Sequence, residues 1–221
     1  MKKYLFFMIG LAASLTAAAQ GNFSMKNFEG FTVHVYQPTD SEAAGSFIVE
    51  SKTGLVVLNP SSESSFNDYM SYITKPVTQN VDISELAMGT QNWNGIAITT
   101  NPSLFGGQGK ADVNIGGGLY LTHALPTKAH ACKKLISHPA DIDNLLSNLT
   151  ILTRTGCKIF ADEHGNVVDA EQIKFMQKYY NTMKKNLKKS TDAASFTASM
   201  KKAFPELNGE NDLQEVAQAL Y

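Results

Sequence analysis

The sequence predicts an α/β sandwich, in which β-sheets form the inner layers and helices cover them. The unit that indicates this most directly lies between Asp141 and Lys189 and reads helix, strand, turn, helix. A second indication is a set of short strands with tight turns between Phe31 and Leu58. In folds of this class the strand ends carry functional side chains, so the turn after the buried strand is the first candidate for a site.

The helix-strand-turn-helix unit has clear boundaries in the sequence. Leucines at helical spacing predict the first helix, which Gly156 ends. Residues 157–161 have the composition of a short buried strand, and 162–166 form the turn. Asp169 begins the second helix, with Gln172 in the capping-box position. Apolar stripes on the two helices and the strand predict one shared core that includes Leu145, Leu149, Phe160, Ile173 and Tyr180.

The N-terminal half combines strand and helix patterns. Strands are predicted at 31–36, 46–50 and 55–58, the last two joined by a hairpin turn at 52–54. A helix is predicted over 64–74, before Pro76, and a weaker strand region follows at 77–88. The segment 89–118 carries little charge and is rich in Gly, Asn, Thr and Gln. It admits two interpretations, either two or three short strands with exposed turns or one long loop.

The remaining segments complete the predicted order of elements. Residues 119–123 are predicted as a strand, whereas 129–137 fit no single element. Two helices are predicted at 193–204 and 212–220, and Pro205 and Gly209 separate them.

Residues 1–19 are predicted to be a secretory signal peptide rather than part of the fold. Two lysines precede an apolar stretch at 4–15, and Ala17 to Ala19 fit a cleavage site. We expect cleavage after Ala19, a periplasmic or secreted protein, and a single domain over 20–221. Because the apolar stretch is too short for a good membrane span, we expect no membrane association after cleavage.

The net charge bears on the class of binding partner. It is formally −1, which gives no support to nucleic-acid binding.

The sequence contains two cysteines. An exported chain with two cysteines permits a disulfide between Cys132 and Cys157. Two separate buried thiols are the favoured interpretation, because Cys157 begins a buried strand.

The order of the elements, together with several short motifs, resembles the metallo-β-lactamase superfamily. The family's opening hairpin and strand are matched by 46–50 and by Gly54-Leu55-Val56-Val57-Leu58-Asn59-Pro60. Its late Gly-His-Gly turn is matched by Glu163-His164-Gly165, and the tail at 204–205 and 220–221 is similar to some members. The resemblance covers both ends of the mature chain. It implies a four-layer αβ/βα sandwich and a hydrolase-like protein.

The family's H-x-H-x-D-H metal signature does not occur in this sequence. The segment Thr90-Gln91-Asn92-Trp93-Asn94-Gly95-Ile96 is similar to that signature, with amides and glycine in place of the ligands. Asn59 likewise stands where the family has an Asp. Because neutral amides bind zinc poorly, we expect no metal cofactor. The alternative is zinc held by some of His123, His130 and His164.

The candidate site centres on the turn at 162–166. His164 has the best functional position of the five histidines, although a His that only caps the turn by hydrogen bonding is the more common arrangement. Asp162 and Glu163 could add carboxylates. The further candidates are His123, His130, Trp93 and Asn94. Trp93 could serve as a binding platform or equally fill the edge of the sandwich.

Three hypotheses about function follow from the sequence. The first is an exported metallo-β-lactamase-like protein with a degenerate metal site, which binds a small molecule or a protein or is a vestigial hydrolase. The second is an active hydrolase of an ester, amide or thioester that keeps one metal through a reduced set of His ligands. The third is an unrelated exported α/β protein, in which the resemblance is accidental. Whether the chain is an enzyme is left open.

Overall fold

The computed structural model describes residues 21–40, 43–106, 110–123, 125 and 129–221. Two β-sheets pack face to face, and helices cover the outer face of each sheet. This is the four-layer αβ/βα arrangement, so the predicted fold class is confirmed. The predicted signal peptide lies outside the described residues. Within the described part of the chain, no helix has the length and apolar character needed to span a bilayer.

The first sheet contains five strands in the order of the sequence. They are β1 (Asn22–Phe28), β2 (Phe31–Gln37), β3 (Ser46–Glu50), β4 (Leu55–Leu58) and β5 (Val77–Val81). Neighbouring strands are antiparallel, except that β4 and β5 are parallel because helix α1 (Ser64–Tyr72) connects them. Strand β1 was not predicted, since it is an edge strand whose side chains are largely exposed.

The second sheet has the order β11-β10-β9-β8-β7-β6. Its strands are β6 (Gly89–Trp93), β7 (Ile96–Pro102), β8 (Ala111–Ile115), β9 (Leu119–Thr122), β10 (Ile159–Asp162) and β11 (Val167–Asp169). The segment 89–118 therefore contains three strands, as the first of the two interpretations proposed. Strands β9 and β10 are parallel, and α2 (Pro139–Arg154) connects them. The C-terminal helices are α3 (Ala170–Leu187), α4 (Ala193–Ala203) and α5 (Glu210–Leu220).

Three apolar layers hold the sandwich together. The layer between the sheets contains residues such as Val33, Val49, Ile98 and Leu121. A smaller layer lies beneath α1. The largest layer lies between the second sheet and the C-terminal helices, and it contains all five predicted core residues, Leu145, Leu149, Phe160, Ile173 and Tyr180. The predicted N-cap of α3 is also confirmed, because the Asp169 carboxylate accepts a hydrogen bond from the Gln172 N–H at 2.9 Å.

A buried polar network ties α1 to the first sheet. His34 is only 6% exposed, and its Nε2 lies 2.7 Å from the Glu50 carboxylate. Its Nδ1 lies 2.5 Å from the Tyr69 hydroxyl on α1. Lys75 Nζ lies 2.8 Å from the second oxygen of Glu50. The hydrogen bond from Lys75, followed by that from His34, holds the pKa of Glu50 below its ordinary value.

The lowered pKa of Glu50 predicts a pH-dependent contribution to stability. Because the unfolded state binds the proton more tightly, the contribution is present above the ordinary carboxyl pKa of about 4 and is lost as pH falls through the folded-state pKa. We expect Glu50→Gln to lower the free energy of unfolding by about 1 kcal/mol at pH 7 and by less in acid. Thermal melts across pH test this, with the exposed Glu29→Gln as control. An equal deficit at every pH would contradict the prediction.

Candidate functional site

Four strand ends meet at one edge of the sandwich and border a cleft of about 450 Å³. The parallel pair β4 and β5 contributes Asn59 and Asp82, which directly follow those strands. The parallel pair β9 and β10 contributes His123, Glu163 and His164 in the same way. The expectation that strand ends carry the site therefore identifies this edge.

The turn after β10 is held by Asp162 rather than by a ligand. This carboxylate is 2% exposed, and one of its oxygens accepts the N–H groups of His164 at 3.1 Å and Asn166 at 2.9 Å. The other oxygen accepts from the Asn166 amide at 2.9 Å and from the Leu125 N–H at 3.3 Å. Both oxygens of Asp162 thus hold the turn, and its expected role as a site carboxylate stays a prediction.

Glu163 is the centre of the polar cluster in the cleft. One of its oxygens contacts Nδ1 of His123, and His164 Nε2 lies 3.8 Å from the same oxygen. Its other oxygen lies 3.6 Å from Lys110 Nζ. The two imidazole ring centroids are 6.5 Å apart. The structure therefore brings together three of the predicted site residues, His123, Glu163 and His164, and adds a lysine.

Lys110 was not predicted from the sequence, although one signal could have identified it. It is the first charged residue after Glu85, and the intervening stretch includes β6 and β7. A single charge that follows such a long uncharged segment and immediately precedes a strand is a candidate for a specific role.

Hydrogen-bond partners determine which imidazole nitrogens face the cleft. His164 Nδ1 lies 3.1 Å from the Ala43 carbonyl oxygen, which can only accept, so Nδ1 carries the proton. In its neutral form His164 therefore presents an unprotonated Nε2. His123 Nδ1 is buried and lies against the Glu163 carboxylate, although the two groups are not aligned as a hydrogen bond.

Asn59 and Asp82 form the opposite wall of the cleft, and both side chains accept hydrogen bonds from the short 3-10 helix that follows β5. The Asn59 side-chain oxygen accepts the Ile83 N–H at 2.9 Å, which joins the end of β4 to the short 3-10 helix Ile83–Glu85. Asp82 accepts the Ser84 hydroxyl at 2.6 Å and the Ser84 N–H at 2.8 Å. These two hydrogen bonds, followed by the positive charge of Lys110, lower the pKa of Asp82.

The cleft residues do not fit the metal centre that the resemblance implies. Glu163 already contacts His123 and Lys110, and a metal ion beside it would meet the lysine ammonium. Asn59 offers an amide whose oxygen is already hydrogen-bonded. Across the described ranges, no three His, Cys, Asp or Glu side chains are grouped so that they could hold a metal ion.

Three of the predicted site residues lie away from the cleft. His130 is buried beside α3, with Nδ1 3.0 Å from the Tyr179 hydroxyl, and burial lowers its pKa. Trp93 is 6% exposed and belongs to the layer between the sheets. Asn94 forms the β6–β7 hairpin turn, where its amide donates to Thr78 Oγ1 at 2.8 Å.

The position of Asn94 corrects the proposed alignment of the metal signature. The hairpin turn borders the β3–β4 turn at Lys52 and Thr53 and the β8–β9 turn at Gly116, which is the opposite end of the sandwich from the cleft. Residues 90–96 are therefore similar to the signature in sequence only, because their side chains do not lie in the cleft.

The two cysteines are free in the structure. Cys157 is buried and donates from Sγ to the Gly117 carbonyl at 3.5 Å, whereas Cys132 is half-buried. Burial raises the pKa of the Cys157 thiol. The structure thus has the two separate thiols of the favoured interpretation and no disulfide between them.

No family model and no curated protein matches the sequence. Among solved structures, a stereoselective inverting sec-alkylsulfatase from Pseudomonas sp. is 11% identical, with a TM-score of 0.50. The match covers 85% of this chain and 48% of the sulfatase. A metallo-β-lactamase from Pontibacter korlensis is 12% identical, with a TM-score of 0.49 over 72% of this chain and 99% of that chain.

A metallo-β-lactamase from Hirschia baltica is 10% identical, with a TM-score of 0.41 over 72% of this chain and 97% of that chain. The present chain spans about half the length of the sulfatase but nearly all of the two lactamases. At these identities the likeness concerns the fold alone. The likeness to the sulfatase supports the α/β sandwich fold that the resemblance to the metallo-β-lactamase superfamily implies.

Proposed function

We propose that this protein is an exported binding protein of the metallo-β-lactamase fold that uses its cleft without a metal ion. The observation that carries the proposal is that the charged groups in the cleft contact one another. Glu163 contacts both Lys110 and His123, so these side chains satisfy one another instead of converging on a metal. The hydrolase-like fold would then be retained as a scaffold for binding.

The dimensions and lining of the cleft favour a small molecule over a protein as the ligand. A volume of about 450 Å³ lies within the range of small-molecule sites, roughly 300–1,000 Å³. Pro60, Ile83 and Ala111 supply accessible apolar surface, while Lys110 and Glu163 supply polar groups. Such a combination fixes the orientation of a ligand that has one apolar and one polar end.

A metal-dependent hydrolase of an ester, amide or thioester is the second candidate, and one observation favours it. His123 and His164 each direct Nδ1 toward a protein oxygen, which is the orientation that metal-binding histidines commonly have. His130 has no part in this alternative, because it is buried beside Tyr179.

Zinc content distinguishes the two candidates. After incubation with zinc and dialysis, we expect elemental analysis to find clearly less than one zinc per chain. We also expect a chelator to leave the melting temperature unchanged. A tightly bound ion would stabilise the fold by roughly 4 kcal/mol at a thousandfold excess over its Kd, which a melting curve resolves.

Stoichiometric zinc would support the hydrolase instead, provided that it depends on the cleft. In that case His164→Ala would remove both the zinc and a hydrolase activity. His138→Ala, which changes an exposed imidazole before α2, would leave both in place.

A further inference from the structure

The Lys110 ammonium lies among hydrogen-bond acceptors. Glu163 is 3.6 Å away, and the charge of Lys110 also reaches Asp82 on the opposite wall. His123 and His164 lie beside the same carboxylate, with His164 Nε2 3.8 Å from Glu163. Among the residues that the structure describes, the cleft therefore holds two carboxylates and one lysine ammonium, which belongs to the protein itself.

Lys110 is held loosely in this position. Its side chain is 49% exposed, and the 3.6 Å separation from Glu163 exceeds an ordinary hydrogen bond. Ion pairs with this exposure contribute little to stability, because solvent screens them and a long side chain must be ordered. The ammonium can therefore move into solvent and leave the acceptors to another group.

The apolar wall and the acceptors together specify a class of ligand. On the basis of the proposed function, we infer that the cleft binds a small organic amine, whose ammonium group takes the place of Lys110 beside Glu163. Its apolar body lies against Pro60, Ile83 and Ala111, which line the same cleft. Lys110 then acts as an internal competitor that occupies the site when the ligand is absent.

The opposite charge is disfavoured by the same groups. Within the described ranges, an organic carboxylate would add a further negative charge to those of Glu163 and Asp82, with Lys110 as the one lysine in the lining that could neutralise them. An ammonium ligand instead replaces one cation with another, and the charge balance inside the cleft is preserved while Lys110 moves outward.

Two probes of similar shape and opposite charge test the inference. We would titrate 2-phenylethylamine and 3-phenylpropionate into wild type and variants by calorimetry, with melting curves to establish that each variant folds. We expect the amine to bind wild type, to bind Lys110→Met about tenfold more tightly, and to bind Glu163→Gln at least about tenfold more weakly. Lys133→Met, which changes an exposed lysine outside the cleft, should behave as wild type.

Three results would overturn the inference. They are binding of 3-phenylpropionate that Lys110→Met abolishes, amine binding that neither cleft variant changes, and no amine binding at millimolar concentration to folded wild type or Lys110→Met. Each of these rejects the amine while leaving metal-independent use of the cleft in place. Stoichiometric zinc that depends on His164 would reject the proposed function itself, so the two failures are distinguishable.

Discussion

Leu149→Ala should lower the free energy of unfolding by about 2–5 kcal/mol. Leu149 is fully buried on α2, in the layer that joins the second sheet to the C-terminal helices. Truncation removes apolar contacts and leaves a cavity that its neighbours can fill only partly. Chemical denaturation followed by circular dichroism measures the change.

A matched control lies on the same helix. Ile151 is 43% exposed, so Ile151→Ala removes an aliphatic side chain of the same size without opening an internal cavity. We expect its effect to be within about 0.5–1 kcal/mol of zero. Equal losses in the two variants would show that the buried face of α2 has been assigned incorrectly.

Gly165→Ala should destabilise the protein by about 2–4 kcal/mol and disrupt the cleft. Gly165 has a φ of +83°, and a Cβ there would lie 2.8 Å from Gln37 Cα and from the Tyr36 carbonyl oxygen. Both contacts are with the backbone of β2, which cannot move aside as a flexible side chain can. The turn that carries Glu163 and His164 would therefore have to shift.

Gly95→Ala separates backbone strain from steric clash. Gly95 has nearly the same φ, +84°, but an added Cβ has no atom within 4 Å. Its cost should be limited to the conformational strain, about 1 kcal/mol. Denaturation midpoints of the two variants make the comparison, and equal losses would exclude packing against β2 as the cause.

The elements that could be predicted from the sequence are those whose burial follows a simple period. Helices α2 and α3 present apolar stripes with caps, and β10 is a short apolar run, so these three elements were predicted, whereas the short strand β11 between β10 and α3 was not. Strand β1 was missed, because an edge strand with exposed side chains lacks that pattern. The segment 89–118 was ambiguous, since its strands alternate small and polar residues that also occur in loops.

The sequence predicted the site residues that directly follow a strand that could itself be recognised. The turn at 162–166 follows a buried strand, so His164 and Glu163 were identified, and His123 ends a strand of the same parallel pair. Lys110 was missed because the segment that contains it was left open between strands and a loop, and the β8–β9 hairpin is what brings it near His123. Trp93 and Asn94 were misplaced because a hairpin carries them to the opposite end of the sandwich.

Each sheet is built from one uninterrupted stretch of the chain. Residues 22–81 form the first sheet and 89–169 the second, and only the short segment 82–88 passes between them. During synthesis the first sheet can close its hydrogen bonds before the second has emerged, since its pairings are local in sequence. The walls of the cleft come from different halves, so the cleft arises only when the halves dock. A ligand that contacts both walls would therefore stabilise the docked arrangement of the two halves, and a tighter ligand would stabilise it more.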